Sequence, residues 1–154
     1  MAHVTFKGGV FPHKRKRFTR EKALEEYMPK GDLIYPLRQH IGGTAVPVVA
    51  VGDRVLEGQL LAKASGDISA PVHASVSGTV KAIEPRKTVS GKEILSVVVE
   101  NDGLYEKMPV SEIKPWQELE VGERLRRIQE AGVVGMGGAG FPTHIKLSVR
   151  NPKR

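Results

Sequence analysis

Between Asp32 and Asn101, glycine-bearing turn dipeptides recur about every ten residues, and this spacing most constrains the fold. Gly42-Gly43, Gly52-Asp53, Gly66-Asp67, Ser77-Gly78 and Ser90-Gly91 separate segments rich in valine and isoleucine. Glycine adopts the left-handed backbone that tight turns require, and β-branched side chains favour a pleated surface. DLIYPL, PVVAV, RVLEGQLLAKAS, SAPVHASVSGTVKAIE and EILSVVVEN therefore predict short strands. In the last of these, Leu95, Val97 and Val99 share one face, which predicts a strand packed on one side. Pro36, Pro47 and Pro71 lack the N–H a ladder needs and are expected at edges or strand starts. The fold class that follows is mainly β, a small sandwich or barrel over residues 32–103.

Within this region, VGDRVLEGQLLAKA, SAPVHASVSGTV and KAIE resemble the flattened half-barrel of biotinyl and lipoyl domains, the barrel-sandwich hybrid. A swinging-arm carrier of that kind needs a lysine at its exposed hairpin tip. Here the tip reads ASGDIS, and Lys63 lies three residues before Gly66, on the strand. The resemblance thus implies the fold without the prosthetic group.

The chain of 154 residues has no cysteine, which removes disulfides, thiolate nucleophiles and cysteine-held zinc or iron–sulfur clusters from it. His3, His13, His40, His73 and His144 show no ligand spacing, so no metal site is expected, and His40 beside Gly42-Gly43 is read as organising a turn. No acid–base pair or nucleophile elbow is visible, and no catalytic residue is assigned. No apolar stretch approaches the roughly 20 residues that cross a bilayer, and no leader is evident, so a soluble or peripherally bound chain is expected.

The net charge is +7, and His13–Lys22 carries six basic residues against Glu21 alone, so five of the seven net charges sit there. Residues 1–31 therefore read as a basic N-terminal arm, either a solvated tail or a docking arm. Lys14–Lys22 is suited to anionic lipid or an acidic protein. A specific nucleic-acid reader is not expected, because Phe18 is the arm's one aromatic among these charges.

Residues 104–119, with Pro109 and Pro115, read as a linker, and Trp116 as its packing anchor. Residues 120–154 change character. Leu125, Ile128 and Ala131 fall at helical spacing opposite Arg124, Arg126, Arg127 and Glu130, which predicts a helix from about Val121 to Ala131 stopped by Gly132. The loop GMGGAG follows, then Pro142, expected in the first turn of another helix. Gly135, Gly137 and Gly140 satisfy G-x-G-x-x-G formally, but a helix precedes them and the acidic partner is missing, so a Rossmann site is rejected. Two readings remain open. The loop is an anion cradle, with Phe141 presenting an aromatic face and Lys146 reaching a phosphate, or it is a helix-to-helix turn with Phe141 in the core.

FKGGV, PLRQHIGG, VGDRVLEGQ, SAPVHASVSGTVKAIE, VVENDG and EAGVVGMGGAGFPTHIKLS together resemble the C subunit of the Rnf ion-translocating electron-transport complex. That family couples electron transfer between ferredoxin and NAD to ion movement across a bacterial membrane. The resemblance implies a barrel-sandwich hybrid followed by the start of a nucleotide domain like the flavoprotein subunit of complex I. It implies that Gly135, Gly137, Gly138 and Gly140 line flavin phosphate and nucleotide, with Phe141 beside the nicotinamide nucleotide and Lys146 as the phosphate-facing cation. Met136 and His144 depart from that pattern, which has arginine and glycine there. The family continues to two four-iron clusters, so this chain is expected to be a fragment that holds neither FMN nor NADH tightly by itself. The resemblance further implies partner subunits of a membrane complex and a cytoplasmic, peripheral position on the inner face of the membrane. The expected function is a non-catalytic docking and structural module of an NADH–ferredoxin oxidoreductase; the alternative is a stand-alone lipoyl-like interaction module without a redox role.

Overall fold

A computed structural model of the protein describes residues 15–110 and 114–148. Phe6–Val10, Lys14 and the closing NPKR lie outside these. Seven strands form in order: β1 (Asp32–Pro36), β2 (Val46–Pro47), β3 (Arg54–Val55), β4 (Leu60–Lys63), β5 (Val72–His73), β6 (Gly78–Lys87) and β7 (Glu93–Asn101). Helices α1 (Val121–Glu130) and α2 (Thr143–Leu147) follow. One sheet has the order β1-β7-β6-β3, the other β2-β4-β5, and every pairing between these strands is antiparallel.

Several glycines make turns, but Gly78, read as part of a turn with Ser77, instead begins β6 and pairs with Asn101. Gly52, Gly58, Gly66 and Gly91 all have positive φ, between 74° and 93°. Gly58 divides RVLEGQLLAKAS into β3 and β4, and Gly91 closes the β6–β7 hairpin. β1 and β2 are edge strands, and each contains a proline, Pro36 or Pro47. β6 accommodates Pro85 because β3 pairs only with Gly78 and Thr79, leaving its outer edge without a strand partner among the described residues at Pro85.

The core lies between the sheets. Tyr35, Leu37, Val55, Leu61, Val72, Val76, Val80, Val97 and Val99 form one buried cluster. The one-sided packing expected of β7 is incomplete. Val97 and Val99 are in the core, but Leu95 is 40% exposed, while Ser96 and Val98 on the other face are also buried. β7 sits between β1 and β6, so it is shielded on both sides.

Hydrogen bonds tie the flanking chain to this body. Ser77, fully buried, donates to Asp102 Oδ1 at 2.7 Å and accepts from the Glu106 amide at 2.9 Å. That hydroxyl, then the Leu104 amide, holds the Asp102 carboxyl below its ordinary range. Arg54 bridges Asp102 and Glu106 at 3.4 and 2.7 Å. Asn101 and Tyr105 both donate to the Pro29 carbonyl, at 2.7 and 2.8 Å. The first half of the expected linker runs along the β domain, with the Glu57 amide donating to the Glu106 carbonyl and the Met108 amide donating to the Glu57 carbonyl.

Trp116 is not the buried anchor expected. It is 48% exposed on a short 3-10 turn (Trp116–Glu118), with the Arg124 guanidinium 5.6 Å from its ring centroid. A side chain that large at a turn leaves Leu119 to enter the interior instead.

Gly78 has ordinary φ, but a Cβ there would overlap the Glu100 carbonyl on β7. Gly78→Ala is expected to lower stability by about 1–3 kcal/mol, since the backbone must shift. Gly91→Ala meets open space and carries only the left-handed backbone penalty of about 1 kcal/mol. Thermal denaturation of both variants checks the order.

Candidate functional site

The glycine-rich loop lies between α1 and α2, and its shape is set from both sides. α1 begins near the expected residue and ends with Ala131 as its cap and Gly132 at φ +68°, the left-handed residue that follows many helix ends. Leu125 and Ile128 are half-buried. On the exposed face Arg126 bridges Glu123 and Glu130 at 2.7 and 2.6 Å, and the neighbouring guanidinium holds the Glu123 carboxyl low. Val134 and Pro142 then make a single antiparallel bridge across the loop mouth, and Pro142 is the cap residue just before α2 and not in its first turn, where the sequence placed it.

Inside the loop the glycines divide by role. The Gly135 amide donates to the Phe141 carbonyl at 3.0 Å, and the Gly138 amide to the Gly135 carbonyl at 3.3 Å, so both close the loop on itself. Gly137 and Gly138 are exposed, with nothing within 4 Å of where a Cβ would stand. Gly140 points the other way. It is buried at φ +67°, and a Cβ there would sit 2.9 Å from both Gln39 O and His40 Cα. Phe141 is half-buried beside the loop mouth. Lys146 is exposed, with its Nζ 3.9 Å from the Cβ position of Gly135, so its ammonium lies over the loop. Gly135, Gly137, Gly138 and Lys146 thus gather at one place, and Gly140 serves the contact with the β domain. Met136 projects outward, 89% exposed.

That contact has two anchors. At one, the Ile41 amide donates to the Ala139 carbonyl at 3.0 Å, with Gly140 seated on Gln39 and His40. His40 is itself buried and fixed. Its Nδ1 lies 3.1 Å from the Ile41 carbonyl, and its Nε2 lies 3.0 Å from both the amide and the carbonyl of Ala70. His40 organises a turn, as the sequence suggested, and also links that turn to residues 69–70. At the other anchor, Gly132 packs against the Pro71 carbonyl and the ring of His73. Burial lowers the pKa of both His73 and His144. Nothing in local periodicity marks His40 and His73 as anchors; the repeated glycines facing them across the chain are the one signal for it.

Of the basic arm, the described part forms an exposed 3-10 turn (Arg15–Phe18), with the Arg17 guanidinium 4.6 Å from the Phe18 ring centroid. Lys14 lies outside the described residues. No described helix is long and apolar enough to cross a membrane.

Two curled antiparallel sheets joined largely through glycine-bearing turns define a barrel-sandwich hybrid, and its β4–β5 tip carries no lysine. The chain belongs to the RnfC family: the family described as the RnfC barrel sandwich hybrid domain matches residues 4–104. It is 42% identical, over 99% of its length, to the C subunit of the Na(+)-translocating ferredoxin:NAD(+) oxidoreductase complex of Acetobacterium woodii, covering 34% of that protein. It is also 42% identical, over 94% of its length, to the C subunit of the proton-translocating ferredoxin:NAD(+) oxidoreductase complex of Clostridium ljungdahlii, covering 32%. The C subunit of the ion-translocating oxidoreductase complex of Vibrio cholerae is 38% identical over 92% of the chain and is covered to 19%. The chain therefore spans between about a fifth and a third of the length of these relatives.

Two outcomes test the docking. Gly140→Ala is expected to free the loop, because strained backbone and a clash with Gln39 and His40 coincide, and to raise hydrogen exchange at the Ile41 amide. Gly137→Ala, in open space without positive φ, is expected to change stability by less than about 0.5 kcal/mol. Because burial holds His73 and His144 below the ordinary value of 6.5, the unfolded state binds protons first. Stability is then full above about pH 6.5 and is lost as pH falls below it, read by melting temperature against pH. His73→Gln is expected to flatten that dependence.

Proposed function

We propose that this chain is the N-terminal module of an RnfC-type subunit in an ion-translocating, NAD-linked electron-transport complex. In this reading the β domain is a docking and structural module, and the glycine-rich loop is one edge of a flavin–NADH site. The observation that carries it is the seating of Gly140 and Ala139 on residues 39–41 of the β domain, within a chain of this family. A loop anchored in that way is held ready for a cofactor that other parts of a longer subunit enclose.

The residues present fit one edge of such a site. Gly137 and Gly138 leave bare backbone open to a phosphate, and the Lys146 ammonium stands over Gly135. FMN bound there would supply the step between two-electron and one-electron transfer. This chain would contribute charge and close backbone approach, and the Gly140 contact would fix where both stand. Ligand sites bury most of their ligand, and a single loop cannot. No cofactor is therefore expected on the chain alone, with FMN, NADH and four-iron clusters belonging to the whole RnfC-type protein. The same reading gives it the other subunits of the complex as partners and a cytoplasmic, peripheral position on the inner membrane face. Lys14–Lys22 would meet anionic lipid or an acidic protein there. The stand-alone interaction module remains the second reading, favoured by the self-sufficient core of the β domain.

Fluorescence titration with FMN separates the two. The 154-residue chain is expected to show no micromolar binding, whereas a full-length RnfC-type protein that includes this sequence binds FMN, and Lys146→Ala weakens that binding about tenfold. Unchanged FMN affinity on removing Lys146 and blocking Gly138 with Gly138→Val would leave the interaction module as the better account.

A further inference from the structure

An open cleft of about 720 Å³ lies where the outer face of β1, the turn between β6 and β7, and the glycine-rich loop meet. Ile34, Pro36 and Arg38 alternate with the core residues Tyr35 and Leu37, so they face away from the interior. Ile34, Pro36 and Ile94 give the cleft an apolar floor, and Gly138 and Ala139 wall one part of it. Its charged lining is Arg38, Lys87 and Lys92, with no carboxylate. Among the described residues these three form no ion pair, whereas Arg54, Lys81, Arg86, Arg126 and Arg127 each do. Glu93 stands cross-strand from Lys87 but does not line the cleft. Three uncompensated cations over apolar surface create a positive field with nothing in the lining to neutralise it.

The chemistry of the lining narrows the occupant. The lining has no phenylalanine, tyrosine or tryptophan on which a base could stack, and its one imidazole, His40, is buried and held by Ile41 and Ala70. The hydroxyls of Thr88 and Ser90 bond one another at 2.9 Å, and Thr88 also donates to the Lys92 carbonyl at 3.0 Å. Long basic side chains around an aliphatic floor suit a chain in which carboxylates flank an aliphatic residue. We propose that this cleft docks an acidic, aliphatic-bearing segment of another polypeptide. Its carboxylates meet Arg38, Lys87 and Lys92, and its aliphatic side chain rests on Ile34 and Ile94. Arg38 can take a carboxylate in two parallel hydrogen bonds, which fixes orientation as well as charge. The relatives are named as subunits of complexes, so neighbouring polypeptides exist for them. The proposal uses the loop only as a wall and stands independently of the flavin–NADH reading.

The test titrates the 154-residue chain into a fluorescein-labelled peptide alternating glutamate and leucine, followed by anisotropy. Combined Arg38→Glu, Lys87→Glu and Lys92→Glu is expected to raise Kd about tenfold or more. Ile34→Asp is expected to weaken binding as well. Reversing Arg15, Lys16 and Arg17 in the exposed arm should leave Kd within about a factor of two. A lysine–leucine peptide should gain affinity for the triple variant. Circular dichroism establishes that each surface variant keeps its fold. The idea fails if affinity follows the arm and not the cleft. It fails equally if pyrophosphate or phosphatidylglycerol vesicles bind through the three cations while the acidic peptide does not.

Discussion

The pairing of β6 with β7 is the interaction on which the rest of the molecule depends. Its register runs from Gly78 opposite Asn101 to Lys87 opposite Glu93, far longer than any other ladder among the described residues. β1 attaches to one side of it and β3 to the other. The second sheet consists of strands of two to four residues, which have little stability alone. Leu61, Ala62 and Val72 hold that sheet in place by burial in one cluster with Val97 and Val99. Burial of Val97 and Val99 on the inner face of β7 is therefore the reason the smaller sheet persists.

The approach of backbone to backbone is the second organising constraint. At Gly78 a ladder strand comes so near β7 that no side chain fits, and at Gly140 a distant loop also comes too near residues 39–40 for an unstrained Cβ. The first contact closes the β domain, and the second joins the glycine-rich loop to it. His40 stands at the junction, bonded to the Ala70 amide and the Ile41 carbonyl. The sequence changes character after residue 119, but the tail is not independent of the β domain in space.

How far the structure is legible from sequence follows the range of each signal. Turn glycines and β-branched runs act locally, so β1, β6, β7 and the helix ending at Gly132 stand close to where the pattern places them. Of PVVAV only Pro47 lies in a ladder, paired together with Val46 just before the segment. Trp116 departs from expectation because aromatic size argues for burial, and a turn with Arg124 over the ring satisfies it in the open. The loop glycines stand out as a group, but nothing local shows that Gly140 faces the β domain while Gly137 faces outward. That division depends on residues a hundred positions apart in the chain. Arg38, Lys87 and Lys92 carry no local signal for the same reason: separated in sequence, they meet only when β1 is laid beside β7.

The proline in β6 has a consequence for how such a protein behaves when crowded. Beyond β3, among the described residues, the flank of β6 has no strand partner for its carbonyls and amides, the feature that recruits a neighbour's strand. Pro85 removes one amide from that row, and Glu84, Arg86 and Lys87 surround it with mixed charge. Two copies meeting along this flank would have to bury those charges and skip a bond, so the chain keeps a long exposed ribbon without inviting fibrous self-association.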